Sequence, residues 1–91
     1  MAFILTRINV GDYERWKPMF DQDTPGTRAG ATGHRVLRNA DQPDEVVVMV
    51  EFASAELAHA GRTKLLASGV LDRFEDVSDP KVLEEAERIS Y

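Results

Sequence analysis

The 91-residue sequence contains no cysteine, which excludes disulfides, thiolate catalysis and metal centres held by cysteine. This absence fits a cytoplasmic protein, and the cytoplasm is the location that we predict. The sequence has no apolar run long enough to span a bilayer. Residues 1–5 are apolar, but Arg7 soon interrupts them and no basic segment precedes them, so we expect no signal peptide.

Basic residues are too few and too scattered to form a patch. The chain has 16 acidic and 11 basic residues, with a net charge of -5. Nucleic-acid phosphates and anionic membrane surfaces both need clustered Lys and Arg side chains. We therefore expect neither nucleic acid nor a membrane as a partner.

Recognisable metal and phosphate motifs are also missing. The two histidines, His34 and His59, are far apart and lack HxH or HExxH spacing, so the sequence predicts no metal site. The glycines of residues 26–33 have the wrong spacing for a phosphate loop and lead into a predicted strand rather than a helix. There is no serine nucleophile elbow. We predict no cofactor.

The most informative segment present is residues 45–52, which reads as a strand rich in β-branched residues. Side chains alternate between the two faces of a strand. Here one face carries Val46, Val48, Val50 and Phe52, while the other carries Val47 and Met49. Both faces therefore need cover. A chain this short lacks the elements to supply it, which points to a second copy of the chain.

The predicted elements alternate in a recognisable order. We expect strands over residues 2–10, 34–39, 45–52 and 81–89. One helix begins at an Asp12 cap, contains a kink at Pro18 and ends near Asp23. The second begins at a Ser54 cap and stops or bends at Gly69, with further helical turns to Val77. The glycine-rich loop of residues 24–33 is expected to border a site.

Residues 81–89 are ambiguous on their own, because their composition favours a helix. The order of the other elements favours a closing strand, which we adopt. Whether that strand pairs within the monomer or crosses to a partner stays open. The whole is a single domain of residues 1–91, with an α+β, ferredoxin-like βαββαβ fold and a four-stranded antiparallel sheet.

Several short motifs resemble the small dimeric α/β-barrel proteins, which are relatives of antibiotic-biosynthesis monooxygenases and of small cyclase-like or stress-responsive barrel proteins. The motifs are Asp12-Tyr13, Trp16-Lys17-Pro18, Phe20-Asp21, Gly33, Val36, Arg38, Val46-Val47-Val48 and Glu51-Phe52. The resemblance covers nearly the whole chain, most clearly residues 5–53. It implies a homodimer whose two sheets pack into a barrel, with a pocket between each sheet and its helices or loops.

Catalytic members of that family oxidise or cyclise aromatic polyketides without a metal, or degrade haem, and many relatives have no known activity. The oxygenases use Asn, Trp, Tyr or His to hold a phenolate-like substrate. By this resemblance the candidate catalytic residues are Asn9 and His34, and the candidate ligand-binding residues are Tyr13, Trp16, Arg38 and Met49. His34 is the first choice for any proton transfer.

Each candidate also has a structural interpretation. Trp16 and Tyr13 fit an apolar helical stripe, His34 fits an exposed strand, and Arg38 fits an ion pair with Glu51. His59 lies on the second helix without the motif of a haem ligand, so we expect it to face solvent.

Three classes of function remain open at this point. The leading one is a homodimeric α/β-barrel protein that binds a small apolar or aromatic molecule. The alternative is a cofactor-independent monooxygenase or cyclase acting on an aromatic, polyketide-like substrate. The third is a structural or stress-related dimer with no ligand.

Overall fold

A computed structural model of the protein describes residues 1–23 and 26–91. Its strands are β1 (Ala2–Asn9), β2 (Gly33–Arg38), β3 (Glu45–Phe52) and β4 (Lys81–Glu84). Its helices are α1 (Tyr13–Gln22) and α2 (Ala55–Ser68), and a 3₁₀ helix spans Val70–Arg73. The predicted ferredoxin-like order is confirmed. Thr24 and Pro25, at the start of the predicted loop, lie outside the described residues.

The four strands form one antiparallel sheet in the order β2-β3-β1-β4. The β1–β3 register places Ile4 opposite Val50, Thr6 opposite Val48 and Ile8 opposite Val46. These residues share the face that carries both helices, and burial alternates along both strands. We call this the inner face, and the opposite one the outer face.

The helix boundaries follow local chemistry that the sequence predicts. The Asp12 carboxylate accepts hydrogen bonds from the backbone N–H groups of Glu14 and Arg15, and the Ser54 hydroxyl accepts one from the N–H of Leu57. Gly69 ends α2 in the left-handed conformation, at φ 70°. Because glycine has no Cβ, it adopts this conformation without steric cost.

Helix α2 packs closely on the sheet at Gly61. A Cβ atom at this position would lie 2.7 Å from Cζ of Phe52 and 3.2 Å from Cδ1 of Ile4. Phe52 is only 2% exposed, so its ring has no room to move away. The missing side chain therefore sets the distance between α2 and the inner face.

Two sequence predictions are wrong in their bounds at the edge of β1. The closing strand is confirmed and pairs with β1 of the same chain, but β4 ends at Glu84 rather than at residue 89. Glu84 already pairs with Ala2, the first residue of β1, so the following residues have no strand left to pair with. Only one further bond continues the ladder, from the N–H of Glu85 to the carbonyl of Met1 at 3.1 Å.

A further helical turn after Gly69 is confirmed as the 3₁₀ helix, but helical structure stops at Arg73 and does not continue to Val77 as predicted. Beyond it, Val77 forms a bridge with Ile8. The N–H of Asn9 donates to the carbonyl of Asp76, and the N–H of Ser78 donates to the carbonyl of Arg7, both at 2.8 Å. β4 does not reach this half of β1, and residues 76–78 satisfy its backbone groups instead.

An ion pair holds residues 76–78 on the outer face as well. The Arg7 guanidinium lies 2.7 Å from Asp76 and 3.3 Å from Glu45. The hydrogen bond and charge of Arg7 hold the pKa of the Asp76 carboxyl below its ordinary value. Arg7 thereby links β1 to β3 and to the segment that leads into β4.

Gly61→Ala tests the close approach of α2. Helix propensity alone would make this change stabilising by roughly 1 kcal/mol. The clash with Phe52 and Ile4 is expected to outweigh that gain, so the free energy of unfolding should fall by about 1 kcal/mol or more, measured by urea denaturation. The neighbouring, exposed Ala60→Gly isolates the propensity effect. A Gly61→Ala variant more stable than the parent would contradict the packing described here.

Candidate functional site

A cavity of about 260 Å³ lies between the inner face of the sheet and the helices. Helix α1 lies farther from the sheet than α2 does. None of its Cα atoms comes within 8 Å of a Cα atom in any strand, whereas α2 has such pairs with β1, β3 and β4. Large side chains of α1 bridge the gap. The cavity is the space that they leave unfilled.

The walls of the cavity are mainly apolar. The sheet contributes Ile4, Ile8, Val48 and Val50, and the residues beyond Gly61 contribute Leu65, Val70, Leu71 and Phe74. Trp16 and Phe20, one helical turn apart on α1, stack with ring centroids 4.9 Å apart and form the facing wall. Trp16 is 8% exposed, so most of its indole packs in the protein. Such walls suit an apolar or aromatic molecule.

Thr6 is the polar group on the floor of this cavity. It is 4% exposed, and its hydroxyl has no hydrogen-bond partner among the described residues. In that part of the chain, no fully enclosed side-chain oxygen or nitrogen lacks a partner. The hydroxyl of Thr6 therefore opens into the cavity, where it can donate or accept one hydrogen bond.

Asp23, Thr27 and Arg28 line the cavity at the C-terminal end of α1. Asp23 has a left-handed backbone, and its carboxylate accepts hydrogen bonds from the N–H groups of Thr27 and Arg28, each at 3.1 Å. The Arg28 guanidinium lies 3.9 Å from the centroid of the Phe20 ring and donates to the Phe20 carbonyl. Arg28 thus connects Asp23 with the aromatic wall.

No protein-family model matches the sequence, and no curated protein matches it. Several solved structures do resemble the chain. SnoaB, a cofactor-independent oxygenase from Streptomyces nogalater solved in a mutant form, is 13% identical with a TM-score of 0.74, covering 99% of this chain and 97% of SnoaB.

Rv0793 from Mycobacterium tuberculosis is 17% identical with a TM-score of 0.66, and 98% of each chain is covered. A Deinococcus radiodurans protein whose proposed class is antibiotic biosynthesis monooxygenase is 16% identical with a TM-score of 0.58, covering 100% of this chain and 98% of the other. The chain has the same fold as these three proteins. At these identities the likeness extends to the fold alone.

Within this fold, Trp16 is the one predicted site residue that lines the cavity. Tyr13 and His34 lie beside it in one aromatic row. The Tyr13 and Trp16 centroids are 5.9 Å apart, and His34 meets the Phe20 ring edge-on at 5.2 Å. His34 is exposed on β2 and does not line the cavity. The Phe20 ring lines the cavity and contacts His34.

The predicted ion pair of Arg38 with Glu51 is wrong. Arg38 lies opposite Val46 on the inner face, whereas Glu51 lies opposite Gly33 on the outer face. The Arg38 guanidinium instead stacks over the Tyr13 ring at 4.2 Å and donates from Nε to the Pro43 carbonyl at 2.9 Å. This contact anchors the start of α1 to β2.

Asn9 and Met49 lie on the outer face, away from the cavity. Asn9 pairs with Glu45 on this face, and its side-chain oxygen accepts a hydrogen bond from the N–H of Gly11 at 3.0 Å. Met49 lies between Leu5 and Arg35 across the sheet. The structure therefore brings neither residue to Trp16, and it does not place Asn9 beside His34.

Residues that the sequence analysis did not single out complete the site, namely Thr6, Asp23, Thr27, Arg28 and Arg73. Of these residues, only Thr6 could have been identified from the sequence, because it lies among the alternating apolar residues that form the inner face. The described residues contain no cluster of three or more metal-ligating side chains. They also include no helix with the length and apolar character needed to cross a membrane.

Proposed function

We propose that this protein binds a small apolar or aromatic molecule in the cavity between its sheet and helices. The observation that carries the proposal is the cavity itself, with the stacked Trp16 and Phe20 rings on one side and β-branched strand residues on the other. An aromatic ligand would stack on these rings, while its polar atom would meet the Thr6 hydroxyl. The cytoplasmic location stays a prediction.

Leu65→Phe tests the use of the cavity. Leu65 lines it, so the larger side chain should fill part of the space and weaken binding of the neutral probe 2-naphthalenemethanol by about tenfold. The indole N–H signal of Trp16, the single tryptophan, reports binding in a ¹H–¹⁵N NMR titration.

The matched control is Leu66→Phe. Leu66 is the next residue on α2, is 47% exposed and does not line the cavity, so its variant should bind the probe like the parent. If the probe does not shift the Trp16 signal of the parent protein, the binding proposal is refuted. Equal weakening by both substitutions would also count against this cavity as the site.

We further propose that the protein is a homodimer that buries the outer face of the sheet. The apolar residues of this face are Phe3, Leu5, Leu37, Val47, Met49 and Leu83. Leu37 is 51% exposed and Leu83 is 39% exposed, so the patch lacks full cover within the described chain. A twofold-related copy would cover it with the same residues.

Met49→Lys tests the dimer. At a buried interface the new ammonium would lack a partner and would lie directly across from Arg35, so dissociation should become at least about tenfold easier. Sedimentation velocity measures the change. Leu57→Lys, on the exposed surface of α2, is the control and should leave association unchanged. Unaltered sedimentation of the Met49→Lys variant would argue against this interface.

Cofactor-independent oxygenation or cyclisation of an aromatic substrate is the second candidate function, and the likeness to the oxygenase SnoaB favours it. In that case Trp16 and Thr6 would hold the substrate oxygen. His34 does not line the cavity, so it would act as the base only if the Phe20 ring moved aside. Asn9 is not placed to reach the substrate. Oxygen uptake with an anthrone, compared between the parent and His34→Ala, distinguishes catalysis from binding alone.

A further inference from the structure

The charged side chains that line the cavity differ in whether they have an ion-pair partner. Asp23 and Arg28 form an ion pair at 3.6 Å, so their charges offset each other. Arg73, at the end of the 3₁₀ helix, also lines the cavity. It forms no salt bridge with the described residues, whose ion pairs involve Arg7, Lys17 and Arg28. Its positive charge is therefore uncompensated at the cavity.

Arg73 stands where the cavity meets a shallower depression, which we call the mouth. The mouth is lined by Val10, Asp12, Arg15, Trp16, Met19, Arg73 and Phe74. Four of these residues, Trp16, Met19, Arg73 and Phe74, also line the cavity, so the same side chains border both spaces. A molecule in the cavity can therefore have one end next to Arg73, which borders both.

The lining of the mouth has two basic residues and one acidic residue, whereas the chain as a whole carries a net charge of -5. Arg15 and Arg73 both line it, and neither forms a salt bridge within the described part of the chain. The single acid there, Asp12, caps α1, and its carboxylate accepts two backbone N–H groups. The helix dipole offsets that negative charge, which leaves two guanidinium groups able to bind an anion.

We propose that the ligand is an apolar or aromatic molecule with one anionic group, such as a carboxylate, and that Arg73 binds this group at the mouth with support from Arg15. The proposal rests on the proposed function, because the apolar body of the ligand would occupy the cavity. An anion at the exposed mouth keeps much of its hydration, so binding avoids the cost of burying a charge. Arg73 would then determine specificity for charge.

The experiment compares two ligands of nearly equal shape, 2-naphthoate and neutral 2-naphthalenemethanol, by NMR titration of the Trp16 indole signal at low ionic strength. We expect the parent protein to bind the naphthoate about three- to tenfold more tightly than the alcohol. Arg73→Gln should abolish that preference, which is measured as the ratio of the two affinities within the same variant. Added salt should weaken binding of the naphthoate and leave binding of the alcohol unaffected.

Three further variants complete the test. Arg73→Lys keeps the charge without the planar fork and should retain part of the preference. Arg15→Gln should reduce the preference by a smaller factor than Arg73→Gln. Arg88→Gln, in the exposed segment after β4, removes the same charge far along the chain from the site and should change nothing. The NMR spectrum of each variant shows directly whether it is folded.

The outcomes separate this inference from the proposed function. Equal affinity of the parent for both ligands, or an undiminished preference in Arg73→Gln, would overturn the role of Arg73 while leaving the cavity as a binding site. Failure of both ligands to shift the Trp16 signal would overturn both proposals. Loss of affinity for the alcohol in Arg73→Gln would show that Arg73 contributes to the shape of the cavity and does not select ligands by their charge.

Discussion

The pairing of β1 with β3 is the constraint on which the rest of the structure depends. Its register sets Ile4 against Val50 and Ile8 against Val46, so every second residue of both strands faces the helices. A slip of one residue by either strand would turn the apolar inner-face side chains of that strand outward. It would bring Arg7 beneath the helices if β1 slipped, or Glu45 if β3 slipped. β3 lies between β2 and β1 in the sheet, and its β-branched residues point to both faces.

The two helices use the inner face differently. Gly61 allows α2 to approach until its backbone lies against Phe52, whereas the bulky Trp16 and Phe20 hold α1 away from the strands. Because α2 lies close to the sheet and α1 lies farther from it, a cavity remains between the helices and the inner face. The site is therefore a consequence of side-chain size at a few positions, and the sheet supplies its rigid floor.

The parts of the fold that depend on local chemistry could be predicted from the sequence. The bounds of β3 agree with residues 45–52, and Asp12, Ser54 and Gly69 mark helix ends by hydrogen bonds that their own side chains or backbone make. The segments of residues 70–77 and 81–89 could not be predicted in this way. Their structure depends on which part of the β1 edge is still unpaired, and neither propensity nor periodicity carries that information.

The site was harder to predict for a similar reason. Trp16 follows from its place in the aromatic row, but Asp23, Arg28 and Arg73 come together only through turns whose shape the sequence pattern does not specify. Asn9 is a different case. It lies one residue after Ile8, so the alternation that places Ile8 inside also places Asn9 outside. That alternation argues against Asn9 as a partner of His34.

The central claim is that one sheet serves two purposes, enclosing a ligand on its inner face and a second copy of the chain on its outer face. Native mass spectrometry of freshly purified protein tests it most directly, because one spectrum gives both the stoichiometry and any retained small molecule. We predict a dimer, with a retained ligand appearing as added mass that gentle activation removes. A monomer at micromolar concentration would contradict the claim, since the outer face would then need no partner.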